Sequence, residues 1–128
     1  MTQRVQDIAR LIATTLNDKK AQDIQLIDIS GLSILADCFV VASGNNPIQV
    51  RTLCDEVKDA LEQAGVNCAR IDGYAAGRWI VIDASDILVH IFHREEREFY
   101  NLERLWSDGT NTISYEELVA RTQQEEQA

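Results

Sequence analysis

The chain has 128 residues, 45% hydrophobic and 26% charged, the size and make-up of one soluble globular domain. Such a chain can bury roughly two-thirds of the surface it exposes when unfolded. Twelve Lys+Arg against 21 Asp+Glu leave a net charge of −9. That excludes a general binder of bare phosphate backbone, whose affinity rests on cationic contacts, and favours a basic partner surface.

The charge is uneven: residues 1–20 carry +2 and the other 108 carry −11. No apolar run approaches the ~20 residues of a membrane span. The amphipathic N-terminus carries Asp7 and resembles neither a signal peptide nor a transit peptide. Cys38, Cys54 and Cys68 are odd in number and lack a C-x-x-C. They are therefore read as reduced thiols of a cytosolic-type compartment rather than a disulfide framework or zinc ribbon.

In chain order, residues 2–18 predict a helix. Val5, Ile8, Ile12 and Leu16 recur at spacings of three and four, Ala9 and Leu11 widen the stripe, and residues 17–20 are a polar stop. In 23–30, Ile24 and Leu26 alternate and then Ile27 and Ile29, which predicts a strand either shifted in register or buried on both faces. Residues 31–35 form a connector apolar enough to pack down. The β-branched and aromatic run 38–44 predicts a strand buried on both faces. Residues 45–65 hold the clearest helix, with Asn46 as N-cap, Pro47 at the first helical position and Gln49 able to close a capping box. Its apolar stripe runs from Val50 through Leu53, Cys54, Val57 and Leu61 to Ala64, and Gly65 suits the C′ position.

Three strands are expected next, at 66–73, 78–84 and 86–93. Residues 73–77 form a turn in which Gly77 is free to take a positive φ, and 83–86 form the tight turn of an antiparallel hairpin. Residues 94–106 return to helical spacing, with Phe99, Leu102, Leu105 and Trp106 on one side. Residues 107–111 break that helix. Ser114 caps a last one, with Glu117 completing an S-x-x-E box. Beyond Arg121 the tail lacks an apolar anchor and is expected to fray. The order α-β-β-α-β-β-β-α-α defines an α/β (mixed α+β) single domain, with a five-stranded mixed sheet and helices packed on it.

Few places could carry chemistry. Residues 44–47 join a buried strand to a helix start, where free N–H groups favour an anion. Neither glycine-rich phosphate motif is present, no lysine follows, and a plain helix cap accounts for the stretch. Asp72, Asp83 and Asp86 gather carboxylates at strand ends, where they could form turns, dock a basic partner or bind Mg²⁺. A two-metal phosphoryl-transfer site would want two acids on one face of one strand, and no D-x-D occurs. His90 and His93 point to opposite faces of a strand and cannot share a metal. His90 alternates with Leu88 and Phe92 and reads as a half-buried histidine with a hydrogen-bond partner. No Ser or Cys has a recognisable nucleophile setting. The least ordinary segment is 94–106, where Tyr100 and Trp106, like Trp79 beside Arg78, are residue types that anchor interfaces.

Four stretches together resemble one family: D-I-x-x-I-D-I-S-G-L-S (23–33), A-D-C-F-V-V-A-S-G-N (36–45), W-I-V-I-D-A-S-D-I-L-V-H-I-F (79–92) and R-E-F-Y-N-L-E-R-L-W (97–106). The chain is similar over about residues 3–108 to the Iojap family, the ribosomal silencing factors. Its most specific motifs are W-x-x-x-D-x-x-D-x-x-V-H-x-F and R-x-F/Y-Y-x-L-E-x-L-W.

The resemblance implies a cytoplasmic, non-enzymatic factor without cofactor, metal or catalytic residues. Such a factor binds the large ribosomal subunit at its intersubunit face through the large-subunit protein called L-fourteen. It obstructs joining of the small subunit and represses translation when nutrients are short. The implied fold is similar to nucleotidyltransferases stripped of the catalytic acid pair. The silencing domain spans 1–108, with a C-terminal helix and acidic tail over 109–128.

By position, the implied partner contacts are Trp79, Asp83, Asp86 and His90 from the hairpin, and Arg97, Tyr100, Leu102, Glu103 and Trp106 from the helix. A homodimer hiding the same aromatic face is a further implication; a membrane or sequence-specific nucleic-acid partner is not. The chain departs from the family pattern at Cys38, Asn45-Asn46-Pro47, Asp72 and Ala84-Ser85. These departures touch the helix-start loop and the hairpin tip more than the C-terminal helix. Two rival readings are an Mg²⁺-nucleotide enzyme using Asp72, Asp83 and Asp86, and a dimeric adaptor for another basic protein.

Overall fold

The run 38–44 becomes a strand buried at every position, and the rest of the domain is arranged around it. The computed structural model describes residues 1–127. In chain order they form α1 (Gln3–Asp18), β1 (Gln22–Asp28), β2 (Cys38–Gly44), α2 (Pro47–Gln63), β3 (Arg70–Asp72) and β4 (Trp79–Asp83). There follow β5 (Ile87–His93), α3 (Arg94–Tyr100), α4 (Leu102–Trp106), β6 (Thr112–Ser114) and α5 (Tyr115–Gln127). The strands make one sheet in the order β3-β4-β5-β2-β1-β6. β2 pairs parallel with β5 and every other pairing is antiparallel, so the sheet is mixed.

The sheet has six strands, not the five expected. β6 is three residues long and pairs with the outer edge of β1 through Leu26 opposite Ile113. So short a strand has no periodicity of its own; it forms because β1 offers a row of unpaired backbone groups.

Both faces of β1 are buried, which explains its doubled apolar pattern. Ile24 and Leu26 join one core cluster while Ile27 and Ile29 join another. The first cluster lies under α1 and α2, where Ile12, Leu16, Leu53, Val57 and Leu61 pack on the sheet. The second is smaller and on the opposite face, where Leu102 and the half-buried Trp106 of α4 are the main cover.

Local signals set most element ends as expected. Asn46 accepts Gln49 N–H at 2.8 Å, and Gln49 reaches back to Asn45 N–H at 2.7 Å. Ser114 accepts Glu117 N–H at 3.2 Å. Gly65 and Gly77 take positive φ.

Four expectations are corrected. The strand expected over 66–73 is regular only at Arg70–Asp72, because it lies at the sheet edge and has only β4 to pair with. The single helix over 94–106 is two, broken at Asn101 in the left-handed region with φ 47°. The connector does not pack down: Ile34 is fully exposed, and Leu32 and Leu35 are more than half exposed. The last helix continues through Gln127, where fraying was expected, and Glu125 comes within 3.7 Å of Arg10 on α1.

Gly73, at φ 82°, has no room for a Cβ, which would overlap the Trp79 carbonyl oxygen. Gly109 has a similar φ of 87° but open space around it. Gly73→Ala is expected to lower stability by about 2 kcal/mol or more, and Gly109→Ala by about 1 kcal/mol from backbone strain alone. Urea midpoints of the two variants measure the difference, and equal losses would contradict the clash.

Candidate functional site

Strand register builds the site. Trp79 lies opposite Phe92, Val81 opposite His90 and Asp83 opposite Leu88. In the next pair, Phe39, Val41 and Ser43 lie opposite Leu88, His90 and Phe92. Alternation therefore puts all nine on the face away from α1 and α2. There the rings form a layer. Trp79 stacks on Phe92 at a centroid distance of 4.8 Å and meets Tyr100 at 4.9 Å. Phe39 stands near edge-on to Trp106 at 5.3 Å and to His90 at 4.7 Å. These are the offset and edge-to-face arrangements that aromatic quadrupoles favour.

His90 ties this layer to the sheet. Its Nδ1 accepts the Trp79 indole N–H at 3.1 Å. The proton of the neutral imidazole is therefore on Nε2, which is buried without a hydrogen-bond partner among the described residues. Burial pushes the His90 pKa down to about 4. The ring is neutral near neutral pH and orients Trp79.

A second polar device holds the two short helices. Arg97 of α3 donates from Nε to Glu103 of α4 at 2.7 Å and from Nη1 to the Ser43 hydroxyl of β2 at 2.9 Å. The Arg97 and Glu103 side chains are largely buried, so this charge-assisted pair braces the chain across the turn at Asn101. At the start of α3, His93 Nδ1 accepts Glu95 N–H at 3.3 Å. Arg78 donates to Glu96 at 2.5 Å, a hydrogen bond that holds the Glu96 carboxyl below the usual range.

The nine residues singled out from the sequence fall into distinct places. Trp79 and Trp106 are half-buried and Tyr100 is exposed, all on one surface. His90 and Leu102 lie beneath it. Arg97 and Glu103 bond to each other at one end of the strands. Asp83 and Asp86 flank the hairpin turn at the other end, where Asp83 accepts Ser85 N–H at 3.0 Å. Asp72 pairs with Arg70 at 2.9 Å on the edge strand.

Periodicity assigned Phe99 and Leu105 to the core, yet they are 81% and 75% exposed. The break at Asn101 rotates them away from Leu102. The only local signal was asparagine itself, one of the few residues that accept the left-handed region. Burial pushes the Cys38 and Cys54 thiols up to about 12 and also raises Cys68, which disfavours the thiolate.

Known proteins share this sequence and fold. A family model described as "Ribosomal silencing factor during starvation" matches residues 2–128. The chain is 38% identical over 102 residues to Ribosomal silencing factor RsfS of Bacillus subtilis, covering 80% of this chain and 86% of that protein. It is 36% identical over 115 residues to the RsfS of Halalkalibacterium halodurans, covering 90% and 97%. A crystal structure from Chromobacterium violaceum superposes with a TM-score of 0.78 at 35% identity, covering 80% of this chain and 85% of that one.

These matches define a regulatory, ribosome-associated class rather than a known enzyme family. The chain belongs to the ribosomal silencing factor family. No helix among the described residues is long and apolar enough to cross a membrane.

His90 gives the site a pH signature. The folded state keeps the imidazole neutral, whereas the unfolded chain takes up a proton below about pH 6.5. Stability from this group is therefore complete above about pH 6.5 and falls as pH drops toward 4, by up to roughly 3 kcal/mol. His90→Gln keeps an acceptor for the Trp79 indole but cannot titrate. Urea midpoints at about pH 7 and 5 should fall further apart in the parent than in this variant. Identical pH slopes would show that His90 does not titrate as described.

Proposed function

We propose that the aromatic face docks on the large ribosomal subunit at its intersubunit side, through the protein L-fourteen, and that the bound domain blocks joining of the small subunit. Translation is thereby repressed under nutrient limitation. The observation that carries this reading is the unequal covering of the sheet. One face is closed by α1 and α2, whereas the other leaves Trp79 and Trp106 half-exposed and Tyr100, Phe99 and Leu105 exposed. A contiguous apolar surface on a small domain marks an interaction site, and Tyr and Trp are the residue types that dominate interface energies.

Charge selects the partner. A domain at −9 is steered toward a basic protein surface and repelled by phosphate backbone, so this reading includes no direct sequence-specific nucleic-acid contact. Trp79, Tyr100 and Trp106 act as anchors, and Asp83 and Asp86 act as steering charges. His90, Arg97, Leu102 and Glu103 hold the anchors in place. Silencing of this kind needs bulk rather than chemistry, hence no catalytic group, metal or cofactor, and it takes place in the cytoplasm.

Residues 1–108 carry the docking surface in this scheme and 109–128 are an appended element; β6 at the far edge and α5 against α1 support that division. The same face would pair two copies of the chain, so a homodimer competes with the ribosome. Likeness to nucleotidyltransferases without the acid pair remains part of the reading. Asp72 and Asp83 bond locally, to Arg70 and to the Ser85 amide, which fits the missing acid pair alone.

The test is sedimentation with separated subunits. The parent should co-migrate with the large subunit and reduce formation of joined ribosomes. Trp106→Ala should weaken co-migration at least about tenfold, as loss of an anchor does. Asp83→Lys with Asp86→Lys should weaken it most at low salt, where unlike charges steer best. A parent that stays at the top of the gradient, or variants that bind like the parent, would refute the proposal. A rise in melting temperature with Mg²⁺ and a nucleotide would instead favour an enzyme.

A further inference from the structure

The helix-covered side of the sheet holds an opening. A cavity of about 270 Å³ lies where α1, β1, residues 110–113 and α5 meet. Ala9, Leu26 and Leu118 line it, and so do Arg10 and Arg121. Leu26 belongs to the core cluster under α1, so the cavity and the aromatic face lie on opposite sides of the sheet.

Arg10 is the unusual residue. Its Nε is buried and has no hydrogen-bond partner among the described residues. Its ionic neighbour Glu125, on α5, stands 3.7 Å from Nη2, outside good hydrogen-bonding distance, and is itself 67% exposed. The other carboxylate at the cavity, Asp28, already accepts the Ser30 N–H and hydroxyl at 3.0 and 2.6 Å. A guanidinium presents a planar fork of donors that matches a carboxylate or a phosphate. Among the described residues the fork has only a distant, exposed carboxylate partner. Ala9, Leu26, Ile113 and Leu118 set an apolar wall within a lining that is otherwise mostly polar, so the cavity offers both an apolar surface and groups that can orient a ligand. Arg121 adds a second guanidinium from α5.

We propose that this cavity binds a small organic carboxylate with an apolar body. Arg10 and Arg121 take the carboxylate, displacing Glu125, and Ala9, Leu26 and Leu118 take the body. The volume equals that of roughly nine water molecules in the liquid, enough for a single-ring body. Because Arg10 is on α1 and Arg121 on α5, occupancy ties the last helix to the domain.

The full chain is titrated with sodium benzoate and, separately, with inorganic phosphate, which has the oxyanion but no apolar body. Backbone amide NMR shifts are the readout. Benzoate should give saturable shifts confined to α1, β1, residues 110–113 and α5, and should bind at least tenfold more tightly than phosphate. Arg10→Gln should weaken benzoate at least tenfold. Arg10→Lys, which keeps the charge but loses the fork, should also weaken it. Glu125→Gln, which removes the competing carboxylate, should strengthen it. Unchanged β2 and β5 amides check that each variant is folded. The proposal is overturned by non-saturable or dispersed shifts, by Arg10→Gln binding like the parent, or by phosphate binding as tightly as benzoate.

Discussion

The parallel pairing of β2 with β5 is the constraint on which the rest of the structure depends. Parallel neighbours cannot be joined by a tight turn. The chain must leave the end of β2, travel back and re-enter beside it, and α2 with the β3–β4 hairpin occupies that path. α2 lies against the same face as α1. The two longest helices are thereby used on one side, with α5 beside them, and the opposite side is left to two short ones. The aromatic face is a consequence of that allocation, not a separate decoration of a finished fold.

What keeps this thinly covered face ordered is polar as much as apolar. The indole of Trp79 is held by the buried imidazole of His90, and the helices above are braced to β2 through Arg97, Glu103 and Ser43. Buried polar groups of this kind specify one arrangement, because any other leaves a donor or an ion unpaired in a low-dielectric setting. Rings that would otherwise be free to repack are presented in fixed positions. Pre-organisation of that sort reduces the cost of ordering side chains when a partner arrives.

The two sides of the sheet divide the work. In the proposed docking, the aromatic rings and hairpin acids on one side meet a basic protein surface, the −9 charge speeding encounter and the desolvated rings supplying residence. On the other side, the junction of α1, β6 and α5 combines a loosely partnered guanidinium with an apolar wall. The docking proposed for the first surface asks no chemistry of it. The second is far enough from it to be tested independently.

The sequence by itself determined the elements whose code is local. Asn46, Pro47 and Gln49 place the start of α2 through contacts within four residues. Asp83 to Asp86 turn the hairpin, and the unbroken apolar run of β2 marks a central strand. The residues of the site were legible as a set, because strand alternation and the two motifs bring Trp79, His90 and Trp106 to notice. Tertiary structure alone decided their surroundings. Burial separated His90 and Leu102 from the accessible rings, and an ion pair six residues apart joined Arg97 and Glu103. A left-handed turn at Asn101 exposed Phe99 and Leu105, which helical periodicity sends inward. β6 likewise exists only because β1 has a free edge. The physical reason is common to all of these: caps and turns are satisfied by neighbours in sequence, whereas burial, strand pairing and ion pairing depend on partners that only the folded chain brings together.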